Sequence, residues 1–270
     1  MINKMFISIN IKFYFIILMD NPKVNYLCIG SQKAGSSVLR HYLNQNDEVY
    51  IKMKEIHFFD QNKFSESDYK KYEDKFKSKI EKMIGEKTPE YGYLPKSIDR
   101  IFNYNPNMKL IYILREPISR AYSAFNMYVD KKKGRNNYNY KNIYNIFESE
   151  ELDYKNIKNK SNHLILKGYY DEHIDYILTK FPKEKLYICI AEEIQKNENV
   201  EYNKIFDFLG VKNMDFKKSN ETNSRSYKMG IPKDLETKLY KTFKPHNEKL
   251  YNFLGRKIDI WEDYYKTIEI

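Results

Sequence analysis

Three short apolar runs stand out along the chain, Val24 to Ile29, Leu110 to Leu114 and Leu186 to Ile190. Each is a near-continuous block of aliphatic, aromatic and cysteine side chains, the pattern of a strand covered on both faces. Between them the hydrophobic period changes. Ser36 to Leu43 opens on hydroxyl residues and continues amphipathically, as a helix does at its start. Pro95 to Tyr104 reads as a helix, and Pro117 fits the first turn of another. Further helices are expected around residues 143 to 150 and 161 to 180, at Val200 to Leu209 and at Lys233 to Leu254. Tyr50 to Met53 is a short strand candidate, and Ser65 to Ile84 reads as a charged amphipathic helix. The polar stretch 130–142 reads as a mobile loop, and "KKSNETNSRSYKMGIP" as a second loop before the last helix.

Strands alternating with helices predict an α/β domain with a mainly parallel sheet. No internal repeat or linker divides the chain, so residues 20–270 are expected to form one domain. Residues 1–19 stand apart as an apolar extension. Its stretch "MFISINIKFYFIILMD" is interrupted by Ser8, Asn10 and Lys12 and falls short of the ~20 residues that span a bilayer. Membrane association is therefore expected only through residues 5–19, as a short anchor or h-region. Alternatively translation begins at Met19 and the extension is artefactual.

Composition adds little to this. The 270 residues carry a net charge of +10, 26 tyrosines and 16 phenylalanines, and the lysines are spread among acidic neighbours. With no Arg-rich tract and no zinc spacing, no nucleic-acid partner is expected. The two cysteines, Cys28 and Cys189, both fall inside strand-like runs, which points to buried free thiols and a reducing compartment.

The chemistry starts at "YLCIGSQKAGSSVLRHYL", where the first strand breaks at Gly30 and Ser36 and Ser37 open a helix. A nucleotide triphosphatase loop has a lysine directly after its second glycine. Here the lysine is Lys33, inside the loop, and Ser36 follows Gly35. Backbone N–H groups of Ser31, Gln32, Lys33, Ala34, Gly35, Ser36 and Ser37 can surround an anion at the helix N-terminus. No strand-borne aspartate for magnesium is evident, so a phosphorylated ligand needing no metal fits better than a magnesium triphosphate. A second constellation follows the strand ending at Leu114: Arg115, Arg120 and Ser123. Arginine offers a planar fork for a phosphate and a serine hydroxyl can complete the contact. Two anion sites at neighbouring strand ends are expected.

These residues carry a resemblance. "IGSQKAGSS" resembles the 5'-phosphosulfate loop of sulfotransferases that use 3'-phosphoadenylyl sulfate, and "LREPISRAYSAF" resembles their 3'-phosphate motif. "KEIHFFD", "EKTPEY" and "LKGYYDEHIDYIL" are similar to segments of the heparan sulfate branch. The resemblance implies a P-loop-like three-layer sandwich around the parallel sheet. It also implies a donor with two separate phosphates, no metal requirement and adenosine 3',5'-bisphosphate as product. Lys33 would then neutralise charge developing on the leaving phosphate, Gly35, Ser36 and Ser37 would donate to the phosphosulfate, and Arg115 and Ser123 would hold the 3'-phosphate.

An acceptor hydroxyl or amine needs a base, and "KEIHFFD" offers Glu55 and His57, with Glu55 matching the branch's proposed base. Lys87 is placed to reach the sulfuryl group or the acceptor. Tyr170 and His173 match a later helix, as ligands or as packing. Arg225 and Lys228 are candidates to close over the 3'-phosphate. The expected acceptor is carbohydrate-type. The cysteine pair of secreted members is not recognisable, so a cytoplasmic location is favoured over a Golgi-type membrane. Two other readings stand beside this one: a noncatalytic nucleotide- or glycan-binding relative, and an atypical P-loop kinase.

Overall fold

The computed structural model describes residues 23–130, 138–150, 152–154, 157, 162–217, 227 and 229–268. The extension expected at 1–19 lies outside these residues, as do Arg225, Lys228 and residues 131–137 of the loop expected at 130–142.

Five strands form one sheet: β1 (Tyr26–Gly30), β2 (Val49–Ile51), β3 (Met83–Lys87), β4 (Lys109–Leu114) and β5 (Leu186–Ile190). Every pairing is parallel and the order is β2-β3-β1-β4-β5. Alternate residues of each strand feed opposite layers, because a strand's side chains point to either face in turn. Leu27 and Ile29 of β1 join Leu110, Tyr112 and Leu114 of β4 in one core, while Tyr26, Cys28, Ile111, Ile113 and Cys189 join the other.

Helices cover both faces. On the second core lie α1 (Ser36–Leu43) and, after β5, the helices α7 (Ala191–Lys196) and α8 (Glu198–Leu209). On the first lie α3 (Pro95–Tyr104), α4 (Pro117–Asp130), α5 (Ile143–Glu148), α6 (Tyr170–Leu178), α9 (Lys233–Leu254) and α10 (Asp259–Lys266). The helix leaving β1 thus crosses one face and the helix leaving neighbouring β4 crosses the other. Adjacent strands whose helices part in this way open a crevice at their carboxyl ends, the usual ligand position in such sheets. The two sequence constellations bracket that crevice.

The helix expected over Ser65 to Ile84 is not formed. Only α2 (Tyr69–Glu73) is α-helical, flanked by 3-10 turns at Glu66–Asp68 and Asp74–Phe76. Residues Met83–Lys87 instead form β3, between β2 and β1. The amphipathic period ends where Tyr72 and Phe76 bury themselves against Phe58 and Phe59 or Tyr50. Beyond them the chain pairs with its neighbours, and tertiary pairing overrides local propensity. The segment expected as a helix over 161–180 is a 3-10 turn at Leu166–Gly168 followed by the shorter α6. The last helix, α10, buries Trp261 and had no expectation attached to it.

Candidate active site

Residues 30–36 link β1 to α1. Gly30 and Gly35 have φ of 153° and 91°, and a Cβ at Gly30 would stand 3.0 Å from the Pro89 carbonyl oxygen, so only glycine fits there. The Ser31 amide donates to Ile113 O at 2.7 Å, tying the loop to β4. Lys33 itself is left-handed, with φ of 73°. The other described non-glycine residue with positive φ is His57, at 54°. Such conformations cost about 1–3 kcal/mol each and persist where the surroundings enforce them, typically at functional positions. The sequence singles out Lys33 as the charge inside the loop, and His57 as the alternative base in "KEIHFFD".

Arg115 leaves the end of β4 and donates from Nη1 to the Lys33 carbonyl at 3.0 Å, so the second constellation grips the first loop. A tyrosine fastens them further. Tyr170 donates its hydroxyl to Arg115 O at 2.8 Å, while Ser31 Oγ lies 3.4 Å from the Tyr170 hydroxyl oxygen. Tyr170 is therefore a structural bridge between the two loops. His173 is packing: it is fully buried, with Nδ1 2.7 Å from the Tyr112 hydroxyl and Nε2 2.9 Å from Leu166 O. Burial pushes its pKa down to about 3, which keeps it neutral.

Arg120 departs from the expected anion site. It points inward, fully buried, and donates to Leu164 O. Glu150 accepts the amides of Leu164, Ile165 and Leu166. Together these two side chains hold the 3-10 turn that carries Lys167. Ser123, three residues on from Arg120, is 3% exposed and receives a hydrogen bond from the Tyr227 hydroxyl at 2.9 Å. Tyr227 belongs to the loop read from sequence for its basic residues, and no feature of the sequence marked it.

The candidate acid–base residues assemble beyond β3. Lys87 Nζ lies 2.9 Å from Glu55 Oε1 and 3.3 Å from Ser37 Oγ, joining the candidate base to the first turn of α1. His57 Nε2 lies 3.3 Å from Glu55 Oε2, and its Nδ1 lies 2.7 Å from Asp60 Oδ2. Burial alone would raise the Glu55 carboxyl, but hydrogen bonds and charge from His57 and Lys87 outweigh it and hold the pKa at about 2. Both carboxylate oxygens are therefore engaged. The structure brings Glu55, His57 and Lys87 together, and Asp60 joins them.

The strand's alternation sends Glu86 the other way from Lys87. Glu86 is fully buried and accepts from Thr88 and Tyr91 hydroxyls at 2.7 and 2.8 Å, and from Tyr72 and the Ile56 amide at 3.3 Å. Burial pushes its carboxyl up, opposed by these donors. Its bond to Ile56 fixes the backbone between Glu55 and His57. A second buried carboxylate, Glu90, pairs with Lys167 at 3.0 Å and accepts from Gln32 Nε2 at 2.7 Å. Gln32 in turn accepts from the Tyr128 hydroxyl at 3.3 Å. The loop is thus anchored through Gln32 as well as through Arg115.

Among the described residues no group of three or more His, Cys, Asp or Glu side chains could hold a metal ion, and no helix is long and apolar enough to cross a membrane.

The profile of the family described as "Sulfotransferase domain" matches residues 24–261. Mouse heparan sulfate glucosamine 3-O-sulfotransferase 5 is 27% identical over 266 residues, covering 90% of this chain and 75% of that protein. The membrane-associated sulfotransferase kil1 of Dictyostelium discoideum is 24% identical over 310 residues, covering 86% of this chain and 65% of that protein. Among solved structures, a sulfotransferase from Alicyclobacillus acidocaldarius superposes with a TM-score of 0.71 at 22% identity, covering 89% of this chain and 99% of the other.

Proposed function

Since the chain belongs to the sulfotransferase domain family, and is thereby an enzyme of 3'-phosphoadenylyl sulfate-dependent sulfuryl transfer, we propose that it sulfates a hydroxyl or amine of a carbohydrate-type acceptor with Glu55 as base. One observation carries this reading: Lys87 joins Glu55 to Ser37, so the proton acceptor and the donor loop share a single cation.

In the reaction the bond from sulfur to the 5'-phosphate oxygen breaks and a bond from sulfur to the acceptor oxygen or nitrogen forms. The acceptor proton passes to Glu55, and adenosine 3',5'-bisphosphate leaves. Lys33 offsets the charge growing on the leaving phosphate, aided by donors at Ser31, Gln32, Ala34, Gly35, Ser36 and Ser37. Arg115 and Ser123 take the 3'-phosphate.

Glu55 with a pKa of about 2 is ionised at neutral pH but weakly basic. It gains basicity if one of its two hydrogen-bonding partners, His57 or Lys87, leaves. His57 is pinned by Asp60, whereas Lys87 ends a flexible stem and already reaches the donor loop. Lys87 is the partner that moves, towards the sulfuryl oxygens, and the freed Oε1 receives the proton. Free, buried Cys28 and Cys189 support the cytoplasmic location over the Golgi-type one.

The donor site is tested by melting the protein with adenosine 3',5'-bisphosphate, with and without magnesium. A rise in Tm that ignores magnesium is expected, by linkage of binding to folding. Arg115→Ala should weaken that binding about 10- to 100-fold, the loss of a charged hydrogen bond. A rise with magnesium ATP and none with the bisphosphate would make the protein a kinase-like relative instead.

A further inference from the structure

We propose that Tyr227 is a further binding residue of the donor site, a phenol that donates to the 3'-phosphate beside Ser123. This rests on the donor-site reading given above. Three contacts place Tyr227. Its hydroxyl lies 2.9 Å from Ser123 Oγ. Its ring meets Tyr122 edge to face, with centroids 5.5 Å apart and planes at 80°. Two residues on, the Met229 carbonyl accepts the Tyr122 hydroxyl at 2.5 Å. Tyr227 is therefore held on α4 at its ring and Met229 at its backbone carbonyl, and both holds come from the residue next to Ser123.

Ser123 is 3% exposed, so an anion that reaches its hydroxyl must also meet whatever covers it. The cover is the Tyr227 phenol. A serine and a phenol 2.9 Å apart can both donate to one phosphate oxygen, each by rotating only its O–H bond. The ring need not leave Tyr122. The ligand-free contact between the two hydroxyls is neutral, while the contact to phosphate is charge-assisted and about twice as strong. Exchanging one for the other favours the bound state. Tyrosine supplies this donor without adding positive charge to a site that already has Arg115. The same exchange cannot occur with a nucleotide lacking the 3'-phosphate, so Tyr227 makes the site selective for that group.

The experiment compares wild type and Tyr227→Phe by titration calorimetry with adenosine 3',5'-bisphosphate and adenosine 5'-monophosphate. Wild type should prefer the bisphosphate. The variant should lose about tenfold in affinity for the bisphosphate and nothing for the monophosphate. Unchanged or tighter bisphosphate binding in the variant would overturn the proposal, the second outcome making Tyr227 an obstacle to the phosphate. Equal loss for both nucleotides would also overturn it, by making Tyr227 merely structural. If wild type itself does not discriminate between the nucleotides, the donor-site reading fails first and takes this assignment with it.

Discussion

Glu55→Gln is expected to lower the turnover of sulfuryl transfer by about 100- to 10,000-fold, the range that positioned proton transfer contributes. The variant keeps the side chain's shape, and Glu55 is 38% exposed at its side chain, so little stability depends on it. Binding of adenosine 3',5'-bisphosphate should be little affected, because Glu55 reaches the donor loop only through Lys87. Turnover measured with radiolabelled donor, alongside the bisphosphate melting shift, separates the two effects. Full turnover in the variant would remove Glu55 from the mechanism and return the role to His57. The pH dependence has a definite sign. The folded pKa of about 2 lies below the ordinary 4.5, so the carboxylate's contribution to stability is complete above about 4.5 and fades as pH falls towards 2. Any loss of activity between pH 5 and 7 therefore comes from a group other than Glu55 in the free enzyme.

Lys167→Met should cost about 3–5 kcal/mol of folding stability, the usual penalty for stranding one member of a buried ion pair. Lys167 and Glu90 are 3% and 6% exposed at their side chains, so no solvent is at hand to replace the lost partner. For a chain of this size that corresponds to a drop in Tm of roughly 6–20 °C, read by thermal melting and checked by denaturant titration. The double variant Lys167→Met with Glu90→Gln should recover much of the loss, since it removes the second charge as well. A fall in Tm under 2 °C for the single variant would mean that the pair is dispensable to the fold. The donor loop should loosen too, because Glu90 holds Gln32.

The sheet's centre and the long helices were legible for a simple reason. β1, β4 and β5 are covered on both faces, so their apolar runs are unbroken, and helices such as Pro95–Tyr104 and Lys233–Leu254 start beside a proline. β3 was not legible. Its residues Met83–Lys87 are all buried, yet Gly85, Glu86 and Lys87 look polar or flexible in sequence. Glu86 is buried because four donors surround it, and Lys87 because Glu55 and Ser37 do. No single-sequence pattern contains those partners. The same limit explains Arg120, which chemistry placed at an anion and packing placed under a backbone turn. Tyr227 was hidden differently, since its neighbours Arg225 and Lys228 drew attention as charges while the contact to Ser123 spans 104 positions.

Tyr170 gives the site a fixed gauge. One hydroxyl touches both Ser31 and Arg115, and the strands beneath them are hydrogen-bonded neighbours. The gap between the two loops is therefore dictated by protein covalent geometry and sheet spacing, not by a guest. On the proposed reading, a ligand is selected by the length between its phosphates as much as by their charge. A compound with the same two charges at another separation would satisfy one loop and leave the other's donors facing water.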